Sequence, residues 1–330
     1  MFDLSIEITT YNRKEVLRDV LQRLSTQSYP TSRFEVVLSD DGSTDGLQEM
    51  VAQMQPSLPF ALRFLQHEHQ GPGHAHNEGI HACSADIVLM LAADILPTPA
   101  LVEEHLRSHR EHPDRRIVIA GRLTQSPGLP DTVFQRAIST QVEMVFQSQF
   151  NNVEHGGFLV SNLSFKRDFM LEFGLFLEWP PASGEDLELG YRLGKAGMKI
   201  IESEAALGYH QHEETLATVA RRAYMTGYNS HYFSEYVDEP WVRRRFGMAE
   251  PTAGLGAWVV ALLRNGLRHL LINHVTAESL MLPMLRTAEK APLIAPLTPI
   301  LARRIAGYFF KRGIADFRSA KPFVFPDVRP

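Results

Sequence analysis

The chain reads as an α/β protein, a mostly parallel sheet flanked by helices with a helical extension at its C-terminal end. Three observations predict this. Over the first 120 residues, short apolar and β-branched runs alternate with segments of helical periodicity, the pattern of a sheet wrapped by its crossover helices. Two of those runs end on acids, VVLSDDGSTDG at Val36–Gly46 and IVLMLAAD at Ile87–Asp94. Carboxylates are thereby placed at the carboxyl ends of strands, where open α/β sheets bind their ligands. Beyond residue 250 the pattern changes to apolar and basic stretches with helical spacing.

The elements follow in order. Leu4-Ser-Ile-Glu-Ile-Thr-Thr alternates like a strand and ends at Thr10-Tyr11-Asn12-Arg13. Val16, Leu17, Val20, Leu21 and Leu24 then predict a helix from Lys14 to Thr26, broken by Gln27-Ser28-Tyr29-Pro30. Val36, Val37 and Leu38 read as a buried strand that stops at Asp40 and Asp41. Gly42 allows a tight turn, and Ser43, Thr44 and Asp45 offer oxygens suited to capping the next helix, Leu47–Met54. A third strand covers Phe60–Leu65, a loop His67–Pro72, a helix His74–Ala82, and a fourth strand starts at Ile87. Ile117–Ala120 is a further strand, Gly121–Asp131 a long loop, and Gln141–Phe150 is read as helical.

At 330 residues, one or two domains are expected. With 44% hydrophobic and 22% charged residues and no low-complexity tract, the composition is that of a soluble globular protein. A single cysteine, Cys83, excludes an internal disulfide framework and fits a reducing compartment. Strand-like sequence begins at Leu4, so no signal peptide is expected, and no run of 18 apolar residues predicts a membrane span. A cytoplasmic location is expected. The net charge of −5 hides an asymmetry: from Glu250 onward 11 basic residues face 5 acidic ones, and the preceding stretch carries −11. A basic segment on an acidic body suggests an anionic surface as partner, and no nucleic acid is expected.

Histidines crowd one segment: His67, His69, His74, His76 and His81. His74 and His76 are two apart on a helix and do not share a face, so metal binding there is disfavoured. His105 and His109 have i, i+4 spacing on the helix after Pro99. Without a flanking pattern such as HExxH they read as a solvated face.

SIEITTYNR, a helix ending in Q-S-Y-P, VVLSDDGSTD, GPGHAHNEGI and the strand ending at Asp94 together resemble family 2 glycosyltransferases of the GT-A fold. Order and spacing match through about residue 235. The resemblance implies a GT-A domain over 1–240, with a nucleotide-sugar-binding half (1–120) and an acceptor and catalytic half (121–240). Residues 241–330 are then an amphipathic basic helical extension. It also implies a donor site formed by Thr9, Tyr11, Arg13, Asp41, Asn77 and Asp94. There Tyr11 lies against the base and Asp41 hydrogen-bonds its edge. The family's DxD motif aligns with Ala92-Ala93-Asp94, so its last acid, the usual metal ligand, is kept and its earlier acids are alanine. One hard oxygen with two diphosphate oxygens and water can still hold Mn²⁺ or Mg²⁺. His76 stands where the family often has arginine. Gly156–Arg167 resembles the strand leading to the acceptor, where Ser161 and Asn162 either touch substrate or bond the local backbone.

The segment Glu178-Trp-Pro-Pro-Ala-Ser-Gly-Glu185-Asp186 carries the family's acceptor-side acid pair. Ser183 can cap a helix whose first turn holds Glu185, Asp186 and Glu188. The resemblance implies Asp186 as general base and Glu185 as its or the acceptor's orienter. It also implies a metal-binding histidine some 24 residues on, at His210, with His212 as the alternative. Arg221 and Arg222, on a helix Thr215–Thr226 ending near Gly227, can neutralise diphosphate or form a charged surface.

The expected activity is transfer of a sugar, with inversion, from a nucleotide diphosphate sugar to a glycan or lipid-linked acceptor, with uridine diphosphate sugar as donor. Two other classes remain: a degenerate binder of nucleotide sugar without turnover, and a sugar nucleotidyltransferase. The second needs a glycine-rich phosphate loop that Thr9–Arg13 lacks. Leu255, Trp258, Val259, Leu262, Leu263, Leu267, Leu270 and Leu271 form an apolar face, and Ile300–Arg312 mixes aliphatic, aromatic and basic residues. Such helices lie on an anionic membrane, dock on the catalytic domain, or make a homo-oligomer.

Overall fold

The computed structural model describes residues 1–138, 158, 160–178, 184–240, 242, 276–287, 291, 293 and 295–325. The predicted helices at 141–150 and 255–271, the Gly156-Gly157 pair and the Ser183 cap lie outside them. The chain divides into two compact units, Met1–Leu129 with Glu143–His212, and Pro130–Val142 with Glu213–Pro330.

The first unit is built on one mixed sheet of eight strands among the described residues, β1 (Leu4–Thr10), β2 (Phe34–Asp40), β3 (Ala61–Gln66), β4 (Ile87–Leu91), β5 (Ile95–Pro97), β6 (Ile117–Gln125), β7 (Asn162–Lys166) and β8 (Lys199–His210). Their order is β3-β2-β1-β4-β7-β6-β8-β5. β1 to β4 pair in parallel, as the strand–helix alternation predicts. β7 runs antiparallel to β4 and β6, and β5 antiparallel to β8. The α/β class holds, with parallel pairing concentrated in the first half.

Alternation along the strands sorts side chains onto two helical layers. Ile6, Ile8, Val36, Leu38, Leu89 and Leu91 pack against α1 (Lys14–Leu24), α2 (Leu47–Met54) and α4 (Leu101–Glu111). Val37, Val88, Met90, Leu163 and Phe165 pack with residues of α3 (Pro72–Ala82), α5 (Arg167–Phe173) and α6 (Glu185–Lys195). By the same alternation Ser5 and Glu7 turn away from Ile6 and Ile8. Glu7 is fully buried there.

The Asp-rich turn is tied differently from the local expectation. α2 has Gly46 at its N-cap and takes no side-chain cap. Asp45 Oδ2 instead accepts from the backbone N–H of Lys14 at 2.9 Å, and Ser43 Oγ accepts from that of Asn12 at 2.8 Å. These oxygens therefore satisfy open donors at the start of α1, across the β1–β2 pair, rather than those of the next helix. Gly42 has φ +79°, and a Cβ there would stand 2.9 Å from the backbone nitrogen of His69.

His105 and His109 do not form a solvated face. Both are buried, in one i, i+4, i+8 row with Leu101 that faces the sheet. His105 contacts Ser164 Oγ through Nδ1 at 2.7 Å and Asn162 Oδ1 through Nε2 at 2.9 Å, and His109 Nε2 meets the same serine at 2.9 Å. Burial pushes His105 down to about 4; burial, with Lys166 beside it, pushes His109 down to about 3. A depressed imidazole contributes stability that is full above the unfolded value near 6.5 and is lost as pH falls toward the folded one. For His105 the loss is about 3 kcal/mol between pH ~6.5 and ~4. His105→Asn should flatten that portion of the wild-type dependence in urea unfolding; parallel curves for the two proteins would show that His105 does not supply it.

In the second unit α7 (Leu216–Tyr236), α8 (Leu282–Thr287) and α9 (Thr298–Arg318) enclose Ala220, Tyr224, Leu285, Ile305 and Phe309. A Thr215/Thr218 capping box starts α7. This helix does not stop at Gly227. The glycine sits where α9 crosses: a Cβ there would lie 2.0 Å from Phe310 O, and one on Gly313 2.2 Å from Tyr224 O. α7 therefore belongs with the C-terminal helices, and the unit boundary falls at Glu213 rather than at 240.

Gly307 on α9 has open space around its Cβ position. Gly307→Ala is expected to stabilise by about 0.5–1 kcal/mol through helix propensity. Gly313→Ala must push the crossing backbones apart, so an overpacking cost of about 1–3 kcal/mol outweighs the same gain. Opposite shifts in the denaturation midpoint would verify the contact; two upward shifts would refute it. Among the described residues, no helix is long and apolar enough to cross a membrane.

Candidate active site

The carboxyl ends of β1 and β2 and the loop before α3 form one side of the site. Asp41, 2% exposed, accepts from the backbone N–H groups of Gln70 and Gly71 at 2.8–3.1 Å. His69 Nδ1 lies 2.9 Å from its Oδ2. The His69 ring stacks on Tyr11 with centroids 4.2 Å apart, and Tyr11 is 43% exposed. The carboxylate expected at a base edge is thus the anchor of the 69–71 loop, and one face of the Tyr11 ring is covered by histidine. Thr9 Oγ1 donates to Glu7 Oε1 at 2.7 Å.

Asp94 is the centre of a second cluster. β5 pairs with the end of β8, Ile95 opposite His210, which brings the acid to the two histidines. Gly208 permits this, since a Cβ on it would lie 2.4 Å from Ile95. Asp94 Oδ2 accepts from Arg13 Nη1 at 2.7 Å, with His210 Nε2 at 3.7 Å and His212 Nδ1 at 3.9 Å. His210 and His212 are therefore joint neighbours of one oxygen, not alternatives. Burial alone would raise the Asp94 pKa; the neighbouring His210, Arg13 and His212 prevail and hold it down at about 2.

Among the described residues no three acid, histidine or cysteine side chains stand in metal-ligand arrangement. The Asp94 cluster nevertheless offers a partial donor set, a carboxylate oxygen with imidazole nitrogens 3.7 and 3.9 Å from it, and the Arg13 guanidinium holds that same oxygen.

α3 and α6 frame the remaining side. Asn77 clamps the 174–178 segment that precedes the acid pair. Its Nδ2 donates to Phe176 O and Glu178 Oε1, at 2.9 and 2.7 Å, and its Oδ1 accepts from Phe176 N at 2.9 Å. Both ends of the amide expected at the donor are thereby engaged within the protein. His74 Nδ1 meets Glu178 Oε2 at 3.1 Å, and His76 Nδ1 meets Glu7 Oε2 at 3.0 Å while its ring stacks on Phe176. Burial would lower the His76 pKa, but the Glu7 carboxylate, with Glu185 and Asp186, raises it.

Glu185 and Asp186 open α6 as predicted. Burial raises both; for Asp186 the neighbouring Glu185 charge adds to this, and its carboxyl is pushed up to about 7. Asp186 Oδ1 accepts from Leu187 N at 2.8 Å, and Glu185 Oε2 is buried without a hydrogen-bond partner among the described residues. Two carboxyls whose environments push them toward neutral pH are suited to proton transfer.

Other expectations change. Asn162 is buried, donating to Ala206 O at 2.9 Å and meeting His105, which is a structural task. Arg222 pairs with the buried Glu214, and Arg221 lies over the Phe325 ring, so in the second unit both have partners of their own. Sequence reasoning passed over Glu7, His69 and His76 as a group. One signal was present: Glu7 is a charged residue at the centre of an apolar strand.

The eight-stranded sheet with helices on both faces is similar to a solved structure, the mannosyltransferase PcManGT from Pyrobaculum calidifontis in complex with GDP-Man and Mn²⁺. The TM-score is 0.59 at 17% identity, over 97% of this chain and 88% of that one. The architecture is thus a GT-A type glycosyltransferase fold. Residues 5–165 match the family model described as glycosyl transferase family 2. A validoxylamine A glucosyltransferase of Streptomyces hygroscopicus subsp. jinggangensis is 28% identical over 237 residues, 64% of this chain and 56% of the relative. A hyaluronan synthase of Pasteurella multocida is 25% identical over 241 residues, 63% of this chain and 24% of the relative. The match to glycosyl transferase family 2 lies over residues 5–165, just under half of the chain, and the chain spans about a quarter to just over half the length of these two curated relatives.

Proposed function

We propose that the protein transfers a sugar from a nucleotide diphosphate sugar to an acceptor hydroxyl in one inverting step, with Asp186 as general base. The observation that carries this reading is the buried acid pair at the start of α6, where burial and Glu185 hold the Asp186 carboxyl near neutrality. The Asp186 carboxylate takes the proton of the acceptor hydroxyl as that oxygen attacks the anomeric carbon. The bond from that carbon to the diphosphate breaks on the opposite side, which inverts the centre. Glu185 orients the base or the acceptor.

Negative charge grows on the departing diphosphate and calls for positive charge where Arg13 and the Asp94–His210–His212 cluster stand. Asp94 and His210 would hold Mn²⁺ or Mg²⁺, which when bound would neutralise diphosphate charge. Thr9, Tyr11, Asp41 and Asn77 complete the donor side, Asp41 and Asn77 by fixing the loops around it. A uridine diphosphate sugar is the proposed donor, with a glycan or lipid-linked glycan as acceptor.

The test is nucleotide release from UDP-, GDP-, dTDP- and CDP-sugars with Mn²⁺, Mg²⁺ or EDTA, with and without glycan acceptors. Metal-dependent release of one nucleotide, abolished in Asp186→Asn when acceptor is present, supports the reading. Binding of a nucleotide sugar without release under any condition would point to a degenerate binder. Release of pyrophosphate from a nucleoside triphosphate would mark a nucleotidyltransferase.

A cytoplasmic, peripheral membrane location belongs to the same proposal. On α9, Ile305 and Phe309 are buried while Arg303, Arg304, Lys311 and Arg312 are exposed, with Ile300 57% and Leu297 42% exposed at its start. Basic and apolar groups exposed together suit an anionic interface. Affinity for phosphatidylglycerol vesicles should fall by about 10³-fold in Arg303→Glu/Arg304→Glu, since each basic residue is worth about 1 kcal/mol there and reversal doubles the effect, about 4 kcal/mol in all. Equal pelleting of variant and wild type would remove the membrane from the proposal and leave self-association to be measured.

A further inference from the structure

We propose that Asn12 is a positioning residue for Arg13, holding the guanidinium on Asp94 by tying the turn between β1 and α1 to the turn between β2 and α2. The inference rests on the transferase reading given above, in which Arg13 stands where diphosphate charge grows. Asn12 and Ala320 are the two non-glycine residues with positive φ among the described residues, and Asn12 has φ +52°. Side chains seldom accept that backbone. Asparagine and aspartate tolerate it best, because their short polar groups can bond nearby backbone. Asn12 comes two residues after β1 and two before α1, so this angle sets the direction in which the chain leaves the sheet.

The same residue is bound through backbone and side chain to the opposite turn. Its backbone N–H donates to Ser43 Oγ at 2.8 Å. Its Oδ1 accepts from the Thr44 backbone N–H at 2.8 Å and lies 3.4 Å from Thr44 Oγ1. Ser43 is in turn held by Asp40, whose Oδ1 accepts from the Ser43 backbone N–H at 3.0 Å and from its hydroxyl. Asp40 is the fully buried last residue of β2, so the tie ends on the sheet. On the other side of Arg13, Lys14 is bound to the same turn. Its backbone N–H donates to Asp45 Oδ2 at 2.9 Å and its Nζ to Asp45 O at 2.7 Å.

Arg13 therefore sits between two anchored neighbours, while its own side chain reaches elsewhere. Nη1 donates to Asp94 Oδ2 at 2.7 Å and lies 3.4 Å from His212 Nδ1. The Arg13 side chain is 39% exposed, and among the described residues no group of its own turn hydrogen-bonds it. A long, half-exposed side chain keeps one position at low entropic cost only when its backbone is fixed. Asn12 fixes that backbone without touching a reacting atom.

Two measurements test this, and they fail separately. The first needs no activity: the Nη–H signals of Arg13, assigned by their loss in Arg13→Lys, are followed by NMR at low temperature. They should be resolved in wild type and merge in Asn12→Ala. Asn12→Asp, which keeps the backbone tolerance and the acceptor oxygen, should leave them resolved. Signals already merged in wild type, or still resolved in Asn12→Ala, overturn the proposal. In the second, Asn12→Ala should lower kcat by about tenfold with KM for the acceptor little changed, because small misplacements of a charge at the leaving group are costly, and Asn12→Asp should recover it. In an Arg13→Ala background, adding Asn12→Ala should lower kcat by less than about twofold, since the tie has nothing left to position. A merely structural asparagine would give additive losses in the double variant, which would overturn the positioning role. If Asn12→Ala does not fold, Asn12→Gly, which accepts the same φ and lacks only the acceptor, takes its place in both experiments. An inactive wild type whose Arg13 signals depend on Asn12 would instead remove the transferase reading and keep the positioning link.

Discussion

Asp186→Asn is expected to lower acceptor-dependent turnover by about 10²–10⁴, the usual worth of a general base. The same change should raise stability at alkaline pH. A carboxyl whose folded pKa lies near 7, above its unfolded value of 3.8, costs stability as pH rises from about 4 through 7, because the folded state favours the protonated form. Asparagine is close to that neutral form in shape and removes the cost, about 4 kcal/mol at pH 8. Loss of activity with a raised melting temperature would separate a catalytic role from a folding one. In wild type, turnover should climb as pH rises through about 7, as the base loses its proton. Full activity in Asp186→Asn would move the base elsewhere, and Glu185 would be the next carboxyl to replace.

Asp94→Ala is expected to have the second large effect. It removes the carboxylate on which Arg13, His210 and His212 converge and leaves their nitrogens facing one another. Turnover should drop by about 10² or more, comparable to losing one strong electrostatic contact to the leaving group. The response to Mn²⁺ and EDTA should vanish with it. Here the stability sign is opposite to that of Asp186. The Asp94 carboxyl is held at about 2, so its charge contributes about 2 kcal/mol at neutral pH, lost as pH falls from about 4 toward 2. Asp94→Ala should therefore be less stable than wild type at pH 7. A variant that keeps both its stability and its metal response would mean that the cation, if used, is held by other groups.

Much of the first unit was legible in the chain. β1, β2 and β4 were readable because each is an apolar run ended by a change in chemistry, and α1 because five aliphatic residues share one helical face. The acid pair was readable as the first turn of a helix. The errors have a common cause, which is that a local pattern does not state its partner. Ser43 and Asp45 have the chemistry of caps, and the following helix was the near claimant, yet the start of α1 lies across the β1–β2 pair and takes them. His105 and His109 are polar and spaced like a surface pair, but Leu101 in the same row and Ser164 on β7 make that row an inner face. Gly227 looks like a helix end and is a helix crossing.

The sequence by itself determined the class of fold, the strand ends that bear acids, and the presence of an acid pair on a helix start. Those features are set by side-chain periodicity and turn chemistry within a few residues. Only the tertiary structure decided which charges meet. Arg13 reaches Asp94 across 81 residues because β1 and β4 are neighbours and β5 begins just beyond β4. His210 and His212 join them through the antiparallel register of β5 and β8. Glu7 meets His76 because the alternation of β1 turns it toward α3. The physical reason is that burying a charge costs several kcal/mol unless a partner arrives with it, and that partner is supplied by strand register and helix packing rather than by neighbouring sequence.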